Sequence, residues 1–216
     1  MRISSPFGTI SFSIILFLLL NVACTPDKKL PIMGEKTVVQ KMVDGKPVYD
    51  TLDHRIPAFK FYNQEGTEIT EALVDGKVYI ADFFFTSCPT ICPRVKANMK
   101  KIYDKYKHRK DFLMLSHTID TKHDTIGRLA WYAQKLNVGT PCWHFLTGKY
   151  NDMTKIALGY LLSALEDKNA PGGFDHSGAI ALIDRNRKIR GFYDGTDPEK
   201  IEDLIKDIAI LLREKE

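Results

Sequence analysis

The sequence predicts an α/β domain: a mixed central sheet flanked by helices, with a β-hairpin added on its N-terminal side. Three observations carry this. From Val78 onward, apolar runs of strand length alternate with stretches of helical periodicity. The run Val78–Tyr79–Ile80–Ala81–Asp82–Phe83–Phe84–Phe85 is almost unbroken, as a strand covered on both faces requires. The last two strand-like runs, Gly178–Ile183 and Ile189–Tyr193, are joined by an Asp184–Arg185–Asn186 turn. That link is too short for a crossover, so the two strands pair antiparallel and the sheet is mixed.

Composition narrows the class. A chain of 216 residues suits one domain with appendages. Hydrophobic residues at 44% and charged residues at 27% are those of a globular protein, not of a disordered one. Lys and Arg number 31 against 27 Asp and Glu, a net charge of +4 with no basic block, which excludes a nucleic-acid partner. Four cysteines are too few for a disulfide scaffold of this size and are read by position.

The first residues read as an address. Arg2 is the only charge before Asp27, and Ile14–Leu20 is an unbroken apolar stretch of seven, far short of the ~18 of a spanning helix. The Ala23–Cys24 junction resembles a bacterial lipoprotein signal, although Asn21 stands where such signals usually carry leucine. Residues 1–23 are thus read as a signal peptide, with Cys24 as the lipidated first residue. An ordinary signal and a retained anchor are the alternatives, and all three export the domain. Residues 24–50 form a tether, poor in apolar side chains from Thr25 to Gly34, that leads into the hairpin; residues 51–216 form the folded domain.

The elements follow in order. Thr37–Val39 and Pro47–Tyr49 flank Asp44–Gly45, a strong hairpin turn signal. Ala58–Tyr62 is a short strand, turned by Gln64–Gly66 towards Glu68–Ile69. After the Val78 strand, Val95, Met99, Ile102 and Tyr106 line one face of a helix from about Pro93 to Tyr106. Phe112–Thr118 is the next strand, and Ile126, Leu129, Ala130 and Ala133 form the next helical stripe. Trp143–Leu146 is a strand. Met153, Ile156, Ala157, Tyr160, Leu161 and Ala164 predict a third helix. Asp197 at the cap and Pro198 in the first turn start a last helix bearing Ile201, Leu204, Ile205, Ile208 and Leu212.

Chemistry concentrates at Cys88–Pro89–Thr90–Ile91–Cys92–Pro93, between the buried strand and the first helix. Open α/β sheets bind ligands beyond the carboxyl ends of their strands. Proline disfavours helical geometry in the residue before it, so Pro93 is expected at the first helical position with Cys92 as the cap. Both sulfurs then face free N–H groups and the positive end of the helix dipole, which lowers a thiol's pKa. A thiolate pair can exchange disulfides or hold a soft metal such as Cu(I) or Zn. A plain stabilising disulfide is the bland reading, but a bridge closing so short a loop removes little unfolded-state entropy. No second pair completes a Cys₄ zinc site, and Cys142, beside Trp143, reads as a small buried hydrophobe.

Of six histidines, His54 and His108 are expected in solvent, and His117 and His144 lie in strands beside core residues. His123, in Asp120–Asp124, is a weaker site candidate. His176 stands out because Pro171–Gly172–Gly173–Phe174 leads to Asp175–His176–Ser177 and then to a strong strand. Glycines beside a polar cluster suit a loop that approaches a site. On local pattern alone, His176 is equally a ligand or a solvated loop residue.

These segments together resemble the Sco/SenC family of copper chaperones. The likeness rests on Asp82–Pro93, on Ile119–Thr125, on Trp143–Gly148, and on Asp175–His176–Ser177 leading into Ala179–Asp184. It extends over roughly Pro57 to Leu212. The resemblance implies a thioredoxin-like fold and copper held by Cys88, Cys92 and His176, as Cu(I) and with Cu(II) left open. It also implies acidic groups near the site at Asp82 and Asp175. The implied partner is the copper-receiving subunit of cytochrome c oxidase, which would gain copper or have its cysteines kept reduced. The location expected from the N-terminal signal and Cys24 is the bacterial cell envelope, membrane-anchored with the domain outside the cytoplasm. A thiol–disulfide oxidoreductase acting on exported proteins is the competing function. A peroxidase fits less well, because Phe85–Thr86–Ser87 before Cys88 lacks that class's proline and threonine spacing.

Overall fold

A computed structural model of the protein describes residues 29–167, 170 and 173–214, with the backbone alone for Asp175 and His176. Cys24 and the expected signal lie outside the described residues. The hairpin forms as expected and is longer than its apolar cores: β1 (Thr37–Val43) pairs antiparallel with β2 (Lys46–Leu52). Asp44 and Gly45 take φ of 50° and 73°, the left-handed pair that a two-residue hairpin turn demands. Of the hairpin residues Val39 alone is partly buried, and the rest are exposed. Strands β3 (Lys60–Tyr62) and β4 (Glu68–Thr70) make a second small antiparallel pair.

The central sheet uses β5 (Val78–Phe84), β6 (Phe112–Thr118), β7 (Trp143–Leu146), β10 (Ala179–Ile183) and β11 (Ile189–Asp194) in the order β11-β10-β5-β6-β7. β5, β6 and β7 run parallel, while β10 is antiparallel to both β5 and β11, so the sheet is mixed. Every residue of β5 and β6 is buried, which explains the near-continuous apolar run of β5 and of the first half of β6. Helix α1 (Cys92–Tyr106) follows β5, α2 (Ile126–Leu136) follows β6, α3 (Tyr150–Gly159) follows β7, and α4 (Pro198–Arg213) closes the domain against α1 and β11. Asp197 caps α4 by accepting the Glu199 N–H, as expected.

Alternation along β5 assigns its side chains to two layers. Asp82 and Phe84 face α1 and α2, where Phe84 stacks on Tyr132 and meets Phe145. Tyr79 and Phe83 face Tyr160, and His117 of β6 joins them beneath Phe59 and Phe61.

One expected element changes type. The third helix stops at Gly159 rather than running to Ala164, and Leu161 takes a φ of 56°. Residues Ala164–Glu166 are instead a strand, β8, paired antiparallel with β9 (Phe174–His176). The apolar pattern hid the change because Tyr160, Leu162 and Ala164 are buried with a period of two, and two of them also fall on the helical stripe. Leu161, which a continuing helix would have buried, is 47% exposed. His176 therefore sits on a short paired strand rather than on a free loop.

Candidate metal centre at the cysteine turn

The Cys88 turn starts where β5 leaves the sheet. The Cys88 N–H donates to the Phe85 carbonyl at 3.2 Å, curling the chain back. Two residues before the cysteine, Thr86 is clamped by Asp124. Its N–H donates to one Asp124 oxygen at 3.0 Å and its hydroxyl to the other at 2.6 Å, and the Thr118 hydroxyl also donates to Asp124 at 2.6 Å. The loop after β6 thus fixes the approach to Cys88.

Helix α1 begins one residue earlier than expected. Cys92 is its first residue, Pro93 its second, and Ile91 the cap, itself in helical geometry with no side-chain capping bond. Pro93 is tolerated at the second position because the first four N–H groups of a helix have no intrahelical acceptor. Cys88 and Cys92 are both present as thiols, buried at the helix start, and the Cys88 sulfur lies 3.7 Å from the Thr90 hydroxyl.

The two thiols are not equivalent, which corrects the expectation that both titrate low. Burial raises the Cys88 thiol, but the backbone N–H groups of Cys92 and Thr90, with the Thr90 hydroxyl, outweigh it and hold Cys88 below the ordinary value. Burial pushes the Cys92 thiol up to about 12; the negative Cys88 adds to that, and Lys96 opposes it. Cys88 is the natural thiolate, and Cys92 is the partner that keeps its proton until a metal or a disulfide takes its sulfur.

Asp82 is held in a buried network with Lys96 and Ser116. Its carboxylate accepts from the Lys96 ammonium at 2.6 Å and from the Ser116 hydroxyl at 2.6 Å. Lys96 is fully buried, donates also to Ser116 at 2.8 Å, and rests 4.3 Å above the Phe84 ring. Trp143 completes the network by donating Nε1–H to Ser116 at 2.9 Å. The Tyr132 phenol is raised first by burial and then by Cys92, Asp82, Cys88 and Asp124, so those groups share one neighbourhood. Lys96 and Tyr132 are members of this region that motif reading missed; Asp124 fell inside the quoted Ile119–Thr125 segment but was given no role there. For Lys96 a signal existed: it occupies the same helical face as Cys92 and Met99, four and three residues away.

The structure brings β9 to the cysteine turn from two sides. Phe174 packs its ring on Phe85 with centroids 5.1 Å apart. Gly178 takes a φ of 67°, and a β-carbon there would lie 3.1 Å from Ile91 and 3.5 Å from Val95. His176 lies between these two contacts, two residues from each, on backbone paired with Ala164. Asp175 pairs with Leu165. Among the described residues no three His, Cys, Asp or Glu side chains cluster as a metal site, and the side chains of Asp175 and His176 are outside that set.

Among the described residues the other histidines and Cys142 join no cluster of three metal-ligating side chains. His54, expected in solvent, is half-buried and shares a 2.7 Å hydrogen bond with the Gly159 carbonyl. His108 is exposed, as expected. His123 is largely exposed and bonds to Asp120 at 2.9 Å. His144 is buried between Asn63 and the Pro141 carbonyl. Cys142 is buried in the core, and burial pushes its thiol up to about 12.

A comparison with known families now decides the lineage. The sequence profile described as SCO1/SenC matches residues 49–213. The chain belongs to the SCO1/SenC family. This family includes cytochrome c oxidase assembly proteins and has the thioredoxin-like fold seen here. A SCO1/SenC family lipoprotein of Bacillus anthracis is 33% identical, superposes with a TM-score of 0.67, and is matched over 74% of this chain and 95% of its own. BsSco, described as a Sco-family member with a disulfide switch, is 27% identical with a TM-score of 0.65 over 76% of this chain and 96% of its own. Arabidopsis thaliana ScoI, solved with copper bound, shares the fold at 23% identity and a TM-score of 0.59, over 71% of this chain and 97% of its own. The profile begins inside β2, so β1 lies outside the matched region.

Proposed function

We propose that this SCO1/SenC protein is a copper chaperone that carries Cu(I) on Cys88, Cys92 and His176 and helps assemble the copper centre of cytochrome c oxidase. The observation that supports this most is the bracketing of His176 by Phe174 on Phe85 and Gly178 on Ile91. At about 3.3 Å per strand residue, His176 is about 7 Å along the chain from each contact, which supports a place for it at the cysteine turn. Two thiolates and a neutral imidazole suit Cu(I), and their low coordination leaves room for a receiving ligand to attack. Copper here is cargo. Cys88 supplies a thiolate, Cys92 gives up its proton as the ion binds, and Asp124 keeps the Cys88 turn in place through Thr86.

The chaperone acts outside the cytoplasm of a bacterial cell, attached to the membrane through Cys24 once residues 1–23 are removed. Its partner is the copper-receiving oxidase subunit.

A second reading, thiol–disulfide exchange on exported proteins, has its own support. The low Cys88 thiol beside a protonated Cys92 is the asymmetry of an attacking and a resolving cysteine. His176→Ala separates the two functions. On the chaperone reading the variant binds Cu(I) at least about tenfold more weakly while its Cys88–Cys92 disulfide still forms and is reduced normally. Unchanged copper affinity with unchanged disulfide chemistry would remove His176 from the site and favour the exchange reading.

A further inference from the structure

We propose that Lys96, held by Asp82, is a positioning charge beneath the metal centre that makes the protein prefer Cu(I) over Cu(II). The inference rests on the copper site proposed above. Lys96 stands one helical turn after Cys92, a spacing that puts β-carbons about 6 Å apart on one face. Its side chain is fully buried, and so is that of Asp82 to within 2%. An ammonium in such a place needs every donor satisfied. Asp82, Ser116 and the Phe84 face, with Trp143 and Phe145 each 5.6 Å away, provide this. The carboxylate and indole bonds to Ser116 hold the assembly in one geometry.

The charge count says what the ammonium does. Two thiolates, a neutral imidazole and Cu(I) carry one net negative charge. The same donors with Cu(II) carry none. A fixed positive charge one turn from Cys92 stabilises the first state relative to the second. Asp82 has the opposite sign and opposes it. Of the two, Lys96 shares helix α1 with Cys92, one turn away on the same face, whereas Asp82 stands on β5 and is bonded to the ammonium. Through a medium of effective dielectric about 20, a unit charge at this range changes such a balance by about tenfold or more.

The test compares Lys96→Met, Asp82→Asn and the double variant with the parent. Each protein is titrated with Cu(I) and separately with Cu(II) against competing chelators, and the copper-free melting temperature is recorded. Lys96→Met is expected to lower the ratio of Cu(I) to Cu(II) affinity about tenfold, and Asp82→Asn to raise it. The opposite signs are the signature of charge, since a purely structural loss would move both variants the same way. Either single variant leaves one charge buried without its partner. If they fail to fold, the double variant, with no buried charge, decides: its ratio should fall below the parent's, and a ratio equal to or above the parent's overturns the inference. Single variants that fold and shift the ratio equally, or not at all, also overturn it. A parent that takes no copper would refute the chaperone reading as well, whereas a parent that binds copper with an unmoved ratio in the variants refutes only the role of Lys96.

Discussion

Replacing Cys88 or Cys92 with serine is expected to weaken Cu(I) binding at least about a hundredfold and to abolish the internal disulfide, whereas Cys142→Ser leaves both unchanged. The size follows from what is lost. A change in a residue that merely supports a ligand costs 10–100-fold in metal affinity, and here a sulfur donor itself disappears. Serine is nearly isosteric, and although both positions are buried its hydroxyl meets the free N–H groups of the helix start, so the fold should survive. The variants should differ in thiol reactivity. With Cys92→Ser the remaining Cys88 keeps the N–H groups of residue 92 and Thr90, and it should react with an alkylating agent at neutral pH. With Cys88→Ser the remaining Cys92, pushed up to about 12 in the parent, should react slowly. Alkylation rates followed by mass spectrometry check this. Equal rates in the two variants would show that the helix start treats both sulfurs alike.

His117→Phe is expected to make the protein markedly more resistant to acid. His117 is fully buried among Phe59, Phe61, Phe83 and Tyr160, and neither ring nitrogen has a hydrogen-bond partner among the described residues. Burial, with the nearby Lys96 charge second, lowers its pKa from 6.5 to about 3. The unfolded chain therefore binds a proton near pH 6.5 that the folded state refuses until near pH 3. As pH falls through that window the parent loses stability, and below it the loss levels off. Phenylalanine removes the titration and suits an aromatic cage. The unfolding free energy of the variant, measured in denaturant from pH 7 to pH 4, should gain on the parent by about 3 kcal/mol over that range. Parallel curves for the two proteins would show that His117 is not held neutral by burial.

Much of the fold was legible because its signals were local. The strand from Val78, the hairpin at Asp44–Gly45 and the cap at Asp197 each depend on a few adjacent residues, and each formed as read. The end of α3 was not legible. Tyr160 and Ala164 satisfy helical and strand periodicity at once, and the choice is made by contacts remote in sequence. One is the close approach of Gly159 to Pro57, where a β-carbon would lie 2.7 Å from the proline ring. The site divides in the same way. The cysteine pair announced itself by spacing and by the prolines that follow, but the depth of each sulfur did not. That depth, not the helix dipole, decides the Cys92 thiol. The Lys96–Asp82 pair was present in the sequence as two opposite charges, each inside an apolar pattern. Reading them as partners required knowing that β5 and α1 face each other.

The account stands or falls on copper. The most direct measurement is the copper content of the reduced protein after exposure to Cu(I) and removal of loosely held ion by desalting, with thiols counted in the same sample. The account predicts a single Cu(I) retained per chain, bound through sulfur, and lost on Cys88→Ser or Cys92→Ser. A protein whose Cys88 and Cys92 are fully reduced, yet which leaves the column without copper, would contradict it.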